Sequence, residues 1–267
     1  MYFNFLKCYL LLALCKLLVF VGCSTNIPVT GRSALKVVPE SRIQAISSKQ
    51  FDDFLKENPE SDNIEAKAQV LRVGKKIQSA IEDYFFMLGE SYRLKDYKWE
   101  YRLIEGDSLN AFAMPGGKVA VYSGLLTIAQ TDQALAVVIG HEMAHIVAGH
   151  GNERFSQALI AQGIALASGS IWEGDHQNSV KLALGLSSQL ILLKYSRHHE
   201  AEADQLGLIF MAMAGYDPEE AIVFWEKMIQ ASDNKRAMPE FLSTHPNPKN
   251  RIQRLAEIIP EAKHYQR

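Results

Sequence analysis

Residues able to do chemistry are concentrated in VVIGHEMAHIVAGH (Val137 to His150), which sets His141, Glu142, His145 and His150 among apolar neighbours. Imidazoles and carboxylates resist burial unless a hydrogen bond or a metal pairs with them. His141 and His145 are four residues apart, so on an α-helix both rings lie on one face, about one turn from each other. That spacing suits two ligands of one zinc ion. Glu142 falls just beside that face, near enough to take a proton from a water on the metal without ligating it. The competing reading is two core histidines bonded to carbonyls, with Glu142 at the surface.

A third protein ligand separates these readings, because a hydrolytic zinc site takes three and leaves one position open. A third histidine on the same segment would require Gly at 148 and His at 151. Ala148 and Gly151 stand there instead, which removes His150 from the ligand set. The second source is YSRHHEAEADQLG, where Glu200 and Asp204 share one helical face and Glu202 points elsewhere. One carboxylate can ligate and the other can hold a ligating imidazole in its tautomer; spacing leaves open which does which. A solvated acidic first turn is the alternative. His198 and His199 read as surface residues, and His150 and Arg154 as packing partners of the site.

The elements that position these residues follow from periodicity. Val70, Val73, Ile77, Ile81 and Tyr84 recur at helical spacing between Asn63 and about Met87. YKWEYRLIEG alternates as a strand, and Asn110 to Met114 and Lys118 to Tyr122 form two short strands about Pro115-Gly116-Gly117. Helical patterns then cover about 132–150, 152–169, 178–195, 197–214, 217–232 and 247–258. Asp217-Pro218 and Asn247-Pro248 each supply a cap followed by proline at the first helical position. The fold class expected is α+β and mainly helical, with a small edge sheet. ALIAQGIALASGSI and LALGLSSQLILL are strongly apolar but too short to span a bilayer, which takes roughly 20 residues, so they read as buried helices.

With 267 residues, 48% of them hydrophobic, the chain can bury one substantial core. A formal charge of -2 and the lack of a basic block argue against nucleic acid as a partner. All three cysteines, Cys8, Cys15 and Cys23, fall in the first 23 residues, so no disulfide staples the domain. Lys7 and the mainly apolar run from Cys8 to Gly22 read as an export signal over 1–22. FVGC followed by STN resembles a bacterial lipobox, with Cys23 as the lipidated residue. Phe20 and Lys16 depart from the usual pattern. Residues 23–44 read as the lipidated cysteine and a polar tether, and 45–267 as the catalytic domain.

Taken in order, NAFAMPGGKVAVYSGLL, HEMAH, SRHHEAEAD and STHPNPKNRI resemble the HtpX/BepA-like zinc metallopeptidases, whose relatives include the Oma-type and CAAX-prenyl endoproteases. The resemblance covers most of the chain beyond the leader. It implies a compact zincin-like domain holding one zinc through His141, His145 and Glu200, with Glu142 as general base and Asp204 behind the ligands. It also makes His245 a site residue, either as an oxyanion donor or as a latch that swings onto the metal. Asn110, Ala111, Phe112, Ala113 and Met114 would form an open strand edge onto which extended or unfolded polypeptides add. The chain lacks the membrane spans of the prenyl proteases and the helical-repeat tail of BepA, so the single-domain lipoprotein branch, with its TGR run at Thr30 to Arg32, fits best. The function implied is an envelope endopeptidase, periplasm-facing and lipid-anchored in the outer membrane, acting on unfolded or misassembled proteins. The rival is a zinc-stabilised chaperone that grips extended chains without cutting.

Overall fold

The computed structural model describes residues 24–27, 30–167, 195–234, 240–245 and 248–266. In chain order the elements are β1 (Ser24–Asn26), β2 (Ser33–Leu35), α1 (Glu40–Glu57), α2 (Ile64–Met87), β3 (Glu100–Ile104), β4 (Ala111–Met114), β5 (Lys118–Tyr122), α3 (Asp132–Val147), α4 (His150–Ala167), α5 (Arg197–Met213), α6 (Glu220–Asn234), α7 (Glu240–Thr244) and α8 (Pro248–Lys263). The class is mainly helical with a small sheet, as expected.

Helix α3 is the axis of the molecule. It is buried from Ala134 to Val147, as a helix apolar on nearly every side must be. Thr131 starts it by accepting the Ala134 N–H at 3.1 Å. Helix α2, capped by Asn63 through the Ala66 N–H at 3.0 Å, buries the Val70, Val73, Ile77, Ile81 and Tyr84 stripe against the same core. Helix α5 crosses α3 where Gly140 meets Gly207. A methyl group on Gly207 would stand 3.0 Å from the His141 backbone nitrogen, and one on Gly140 3.1 Å from the Gly207 carbonyl oxygen. Glycine at both positions permits this backbone approach, which carries Glu200 and Asp204 to the histidine face of α3.

Strand β5 is central in a three-stranded sheet of order β3-β5-β4. β3 runs parallel to it, with Glu100 opposite Lys118. β4 runs antiparallel, with Ala111 opposite Val121. Strand alternation sends Leu103, Ala111, Ala113, Val119 and Val121 into the main core. Ile104, Phe112, Met114 and Ala120 form a second cluster with Ile43 and Phe51 of α1 and Phe155 of α4. Both faces of the sheet are therefore covered.

Several expectations change. The described part of the stretch expected to be a tether carries regular structure. β1 pairs antiparallel with β2, and Ile27, Ala34 and Ile43 are buried. Its apolar residues follow neither a helical nor an alternating period for long enough to betray them. The helix expected over 132–150 stops at Val147 and restarts at His150, across Gly149 at φ +72°. Helix α6 begins at Glu220 rather than 217, with Asp217 Oδ1 accepting the Glu219 N–H at 3.0 Å. Helix α8 continues through Pro260 to Lys263. Among the described residues no helix is long and apolar enough to cross a membrane. The leader, Cys23, residues 168–171 at the end of the preceding apolar segment, and residues 178–194 of the helix expected over 178–195 lie outside the described residues.

Candidate metal centre

Four buried side chains from two helices and one loop converge: His141 and His145 of α3, Glu200 of α5, and His245 just after α7. One ligand atom from each lies within 4.8 Å of all the others. His145 Nε2 is 3.0 Å from His141 Nε2, which is 3.2 Å from His245 Nδ1. His245 Nδ1 is 2.9 Å from Glu200 Oε1, and His145 Nε2 is 3.4 Å from the same oxygen. Three ring nitrogens and a carboxylate bring more lone pairs together than their own protons can bridge. A cation fits that gap, and a His/Glu donor set suits zinc.

The electrostatics favour the ligating forms. Burial drives His145 well below the usual imidazole range, leaving it neutral. For Glu200 burial opposes ionisation, but His245 and Arg251 outweigh it and hold the carboxyl well below its ordinary value. Asp204 stands behind the ligands, its Oδ1 3.1 Å from His141 Nδ1. Of the two carboxylates whose roles spacing left open, Glu200 faces the cluster and Asp204 backs an imidazole.

Glu142 is fully buried. Neither of its oxygens has a hydrogen-bond partner among the described residues; His245 Nε2 lies 3.2 Å from Oε1 but out of alignment. Burial raises this carboxyl to about 7, with His245 pulling the other way and Glu200 adding to the rise. A carboxylate that accepts no hydrogen bond, beside a cluster of metal donors, is poised to receive a proton from a third party.

Five further side chains complete the surroundings. Arg251 of α8 is fully buried and ties the two acidic residues together, donating from Nη1 to Glu200 Oε2 at 3.0 Å and from Nε to Asp204 Oδ1 at 2.9 Å. Its guanidinium lies 3.9 Å from the Trp225 ring centroid. Tyr195 stacks on His145 at 3.6 Å between centroids, and Arg154 covers the other side of the phenol ring at 3.5 Å. Burial pushes the Tyr195 hydroxyl well up, so it stays protonated. Phe241 stacks on His245 at 4.5 Å and donates its N–H to the Leu109 carbonyl at 3.3 Å, which joins the His245 loop to the segment before β4. Arg251 and Tyr195 sit inside the quoted motifs STHPNPKNRI and YSRHHEAEADQLG, but isolated positions in a motif carry no sign of what they touch.

His199, expected at the surface, is buried. It stacks on His150 at 4.4 Å and its Nε2 lies 3.2 Å from Glu153 Oε2. As the third residue of α5 it also serves a capping box with Ser196. His198 is exposed, as expected. His150 is not among the converging donors; its Nδ1 faces His145 Nδ1 at 2.7 Å. The stretch from Asn110 to Met114 is no part of the cluster. β4 packs against α3, and among the described residues its one strand partner is β5.

The family model for Peptidase family M48 matches residues 73–259. The chain is 39% identical over 171 residues to the mitochondrial metalloendopeptidase OMA1 of Schizosaccharomyces pombe, covering 63% of this chain and 49% of that protein. It is 29% identical over 243 residues to the human mitochondrial metalloendopeptidase OMA1, covering 88% and 46%. It is 29% identical over 163 residues to the β-barrel assembly-enhancing protease of Escherichia coli, covering 58% and 33%. The chain thus spans at most about half the length of these relatives. The Oma-type likeness, given above as one relative among several, is prominent here alongside the bacterial one. With a match running from α2 to α8 through both acidic and histidine motifs, the chain belongs to peptidase family M48.

Proposed function

We propose that the chain is a zinc metalloendopeptidase, with His141, His145 and Glu200 as metal ligands and Glu142 as general base. The observation that carries this reading is the pairing of a converged His/Glu donor set with a fully buried Glu142 whose oxygens accept no hydrogen bond among the described residues. Zinc, when bound, supplies the Lewis acid that polarises the scissile carbonyl and lowers the pKa of the attacking water. Glu142 takes the water proton; a carboxyl raised to about 7 can accept it and then return it to the leaving amine near neutral pH. Asp204 and Arg251 hold His141 and Glu200 in place. His245, the fourth donor of the cluster, would add a ligand beyond the three a zinc hydrolase uses and so hold the site latched, with its withdrawal admitting substrate.

The substrate class is extended or unfolded polypeptide added to the free edge of β4, a mode that reads backbone more than side chains. The name of the E. coli relative speaks of β-barrel assembly, which supports misassembled envelope proteins as targets and, with the lipobox-like FVGC, an envelope location anchored through Cys23. Labelled-palmitate incorporation that persists in Cys23→Ala would remove the anchor. For the activity the test is Glu142→Gln. Cleavage of an unfolded protein should fall by ~10²–10⁴-fold while zinc content is retained. Unchanged cleavage refutes Glu142 as base, and a wild type that binds unfolded chains without cutting them favours the chaperone.

A further inference from the structure

Behind the metal centre lies a second polar cluster that the proposed mechanism does not use, buried at its imidazoles and carboxylates and open to solvent at its N-terminal end. It is built from His150 and Glu153 of α4, His199 and Glu202 of α5, and Thr30 and Arg32 of the turn between β1 and β2. Arg32 Nε donates to Glu202 Oε2 at 2.8 Å. Its Nη1 and Nη2 grip the two oxygens of Glu153 at 3.0 and 2.9 Å. Thr30 Oγ1 donates to Glu202 Oε1, and the Gly31 N–H closes the turn onto the Ile27 carbonyl at 2.8 Å. All three residues of the TGR run are thereby accounted for. Glu202 Oε2 in turn lies 2.9 Å from His150 Nε2, and His150 Nδ1 lies 2.7 Å from His145 Nδ1.

The protons along this chain have one consistent arrangement. A carboxylate accepts only, so His150 carries its proton on Nε2 and gives it to Glu202. Its Nδ1 is then a lone pair and must accept. At 2.7 Å the partner nitrogen, His145 Nδ1, supplies the proton. That leaves the lone pair of His145 on Nε2, the atom in the converged donor set. Arg32 orients the first carboxylate of the chain and, through Glu153, His199, the ring stacked on His150.

We propose that Arg32 is a positioning residue for the metal centre: through Glu202 and His150 it fixes the tautomer and orientation of His145, so that the N-terminal ribbon completes the ligand set. The inference rests on the metal reading given above. Second partners of ligating histidines are worth about 10–100-fold in metal affinity, and that is the effect expected here.

The test measures zinc affinity of the full-length chain by chelator competition. Arg32→Met and Glu202→Gln should each bind zinc ~10–100-fold more weakly. Arg32→Lys, which reaches one carboxylate but cannot span both, should recover part of the loss. Arg102→Met, which breaks the Glu60 and Glu100 pairs far from the cluster, should bind as wild type. The visible spectrum of the cobalt-loaded Arg32→Met protein should also shift, since the imidazole is no longer held. Wild-type affinity and an unchanged cobalt spectrum in both Arg32→Met and Glu202→Gln overturn the proposal. If Arg32→Met does not fold by circular dichroism, the isosteric Glu202→Gln decides alone. A wild-type chain that binds no zinc overturns the metal reading itself, and this inference with it.

Discussion

Arg251→Met removes the guanidinium that neutralises Glu200 and Asp204 together. Arg251 is fully buried, and it makes two hydrogen bonds to Asp204 and one to Glu200. Each charge-assisted bond is worth about 1.5–3 kcal/mol in isolation, but the three share one group and do not add. Methionine fills much of the volume and keeps contact with Trp225, so the loss is chiefly electrostatic. Breaking a buried ion pair on one side costs ~3–5 kcal/mol because the remaining charge is left unpaired. The expectation for the metal-free protein is therefore a loss of that size, read from urea unfolding in the presence of a chelator. Arg102→Met is the comparison. Its side chain is 37% exposed beside Glu60 and Glu100, and an exposed pair contributes about 0–1 kcal/mol. Arg251→Lys should fall between. If Arg251→Met unfolds within about 1 kcal/mol of wild type, or loses no more than Arg102→Met, the account of Arg251 as the clamp on both carboxylates is wrong.

Three other outcomes are expected. Burial alone would raise Glu153, but hydrogen bonds from His199 and Arg32 bring it down to about 2; its contribution is present above the unfolded value of ~4.3 and lost as pH falls toward 2. Allowing for solvent around Arg32, which is 27% exposed, that contribution is about 1–2 kcal/mol, and unfolding midpoints between pH 5 and 3 should drop less steeply in Glu153→Gln than in wild type. Gly207→Ala would place a methyl 3.0 Å from the His141 backbone nitrogen, forcing α3 and α5 apart at about 1–3 kcal/mol; thermal melts should show the loss, and zinc titration a weaker site. His245→Ala should weaken zinc retention and change the rate of proteolysis at saturating zinc, and a variant matching wild type in both measurements removes His245 from the site.

Much of the core was legible because it obeys a local period. The α2 stripe from Val70 to Tyr84 and the alternation of β4 and β5 are readable with no partner in view, since a helix or strand half-buried in a core repeats its apolar residues at its own pitch. The same rule misses a buried segment with no repeating face. Ile27, Ala34 and Ile43 follow no shared period along the chain, and their burial comes from the main core in the first two and from the sheet, α1 and Phe155 in the third. His199 was misplaced for a related reason: its surroundings in sequence are charged, yet its neighbours in space are His150 and Glu153.

By itself the sequence determined the chemical vocabulary: two histidines one helical turn apart, an adjacent glutamate, and a downstream pair of carboxylates on one face, all consequences of the 3.6-residue pitch. Tertiary structure decided the grammar. The Gly140–Gly207 crossing selects Glu200 to face the histidines and Asp204 to stand behind them, Arg251 arrives from α8 to neutralise both, and Arg32 reaches from the N-terminal ribbon to Glu202 and, through it, the far side of His145. These assignments depend on distances of about 3 Å between residues as many as 170 positions apart. No spacing rule along the chain encodes them, because hydrogen bonds and burial act through space.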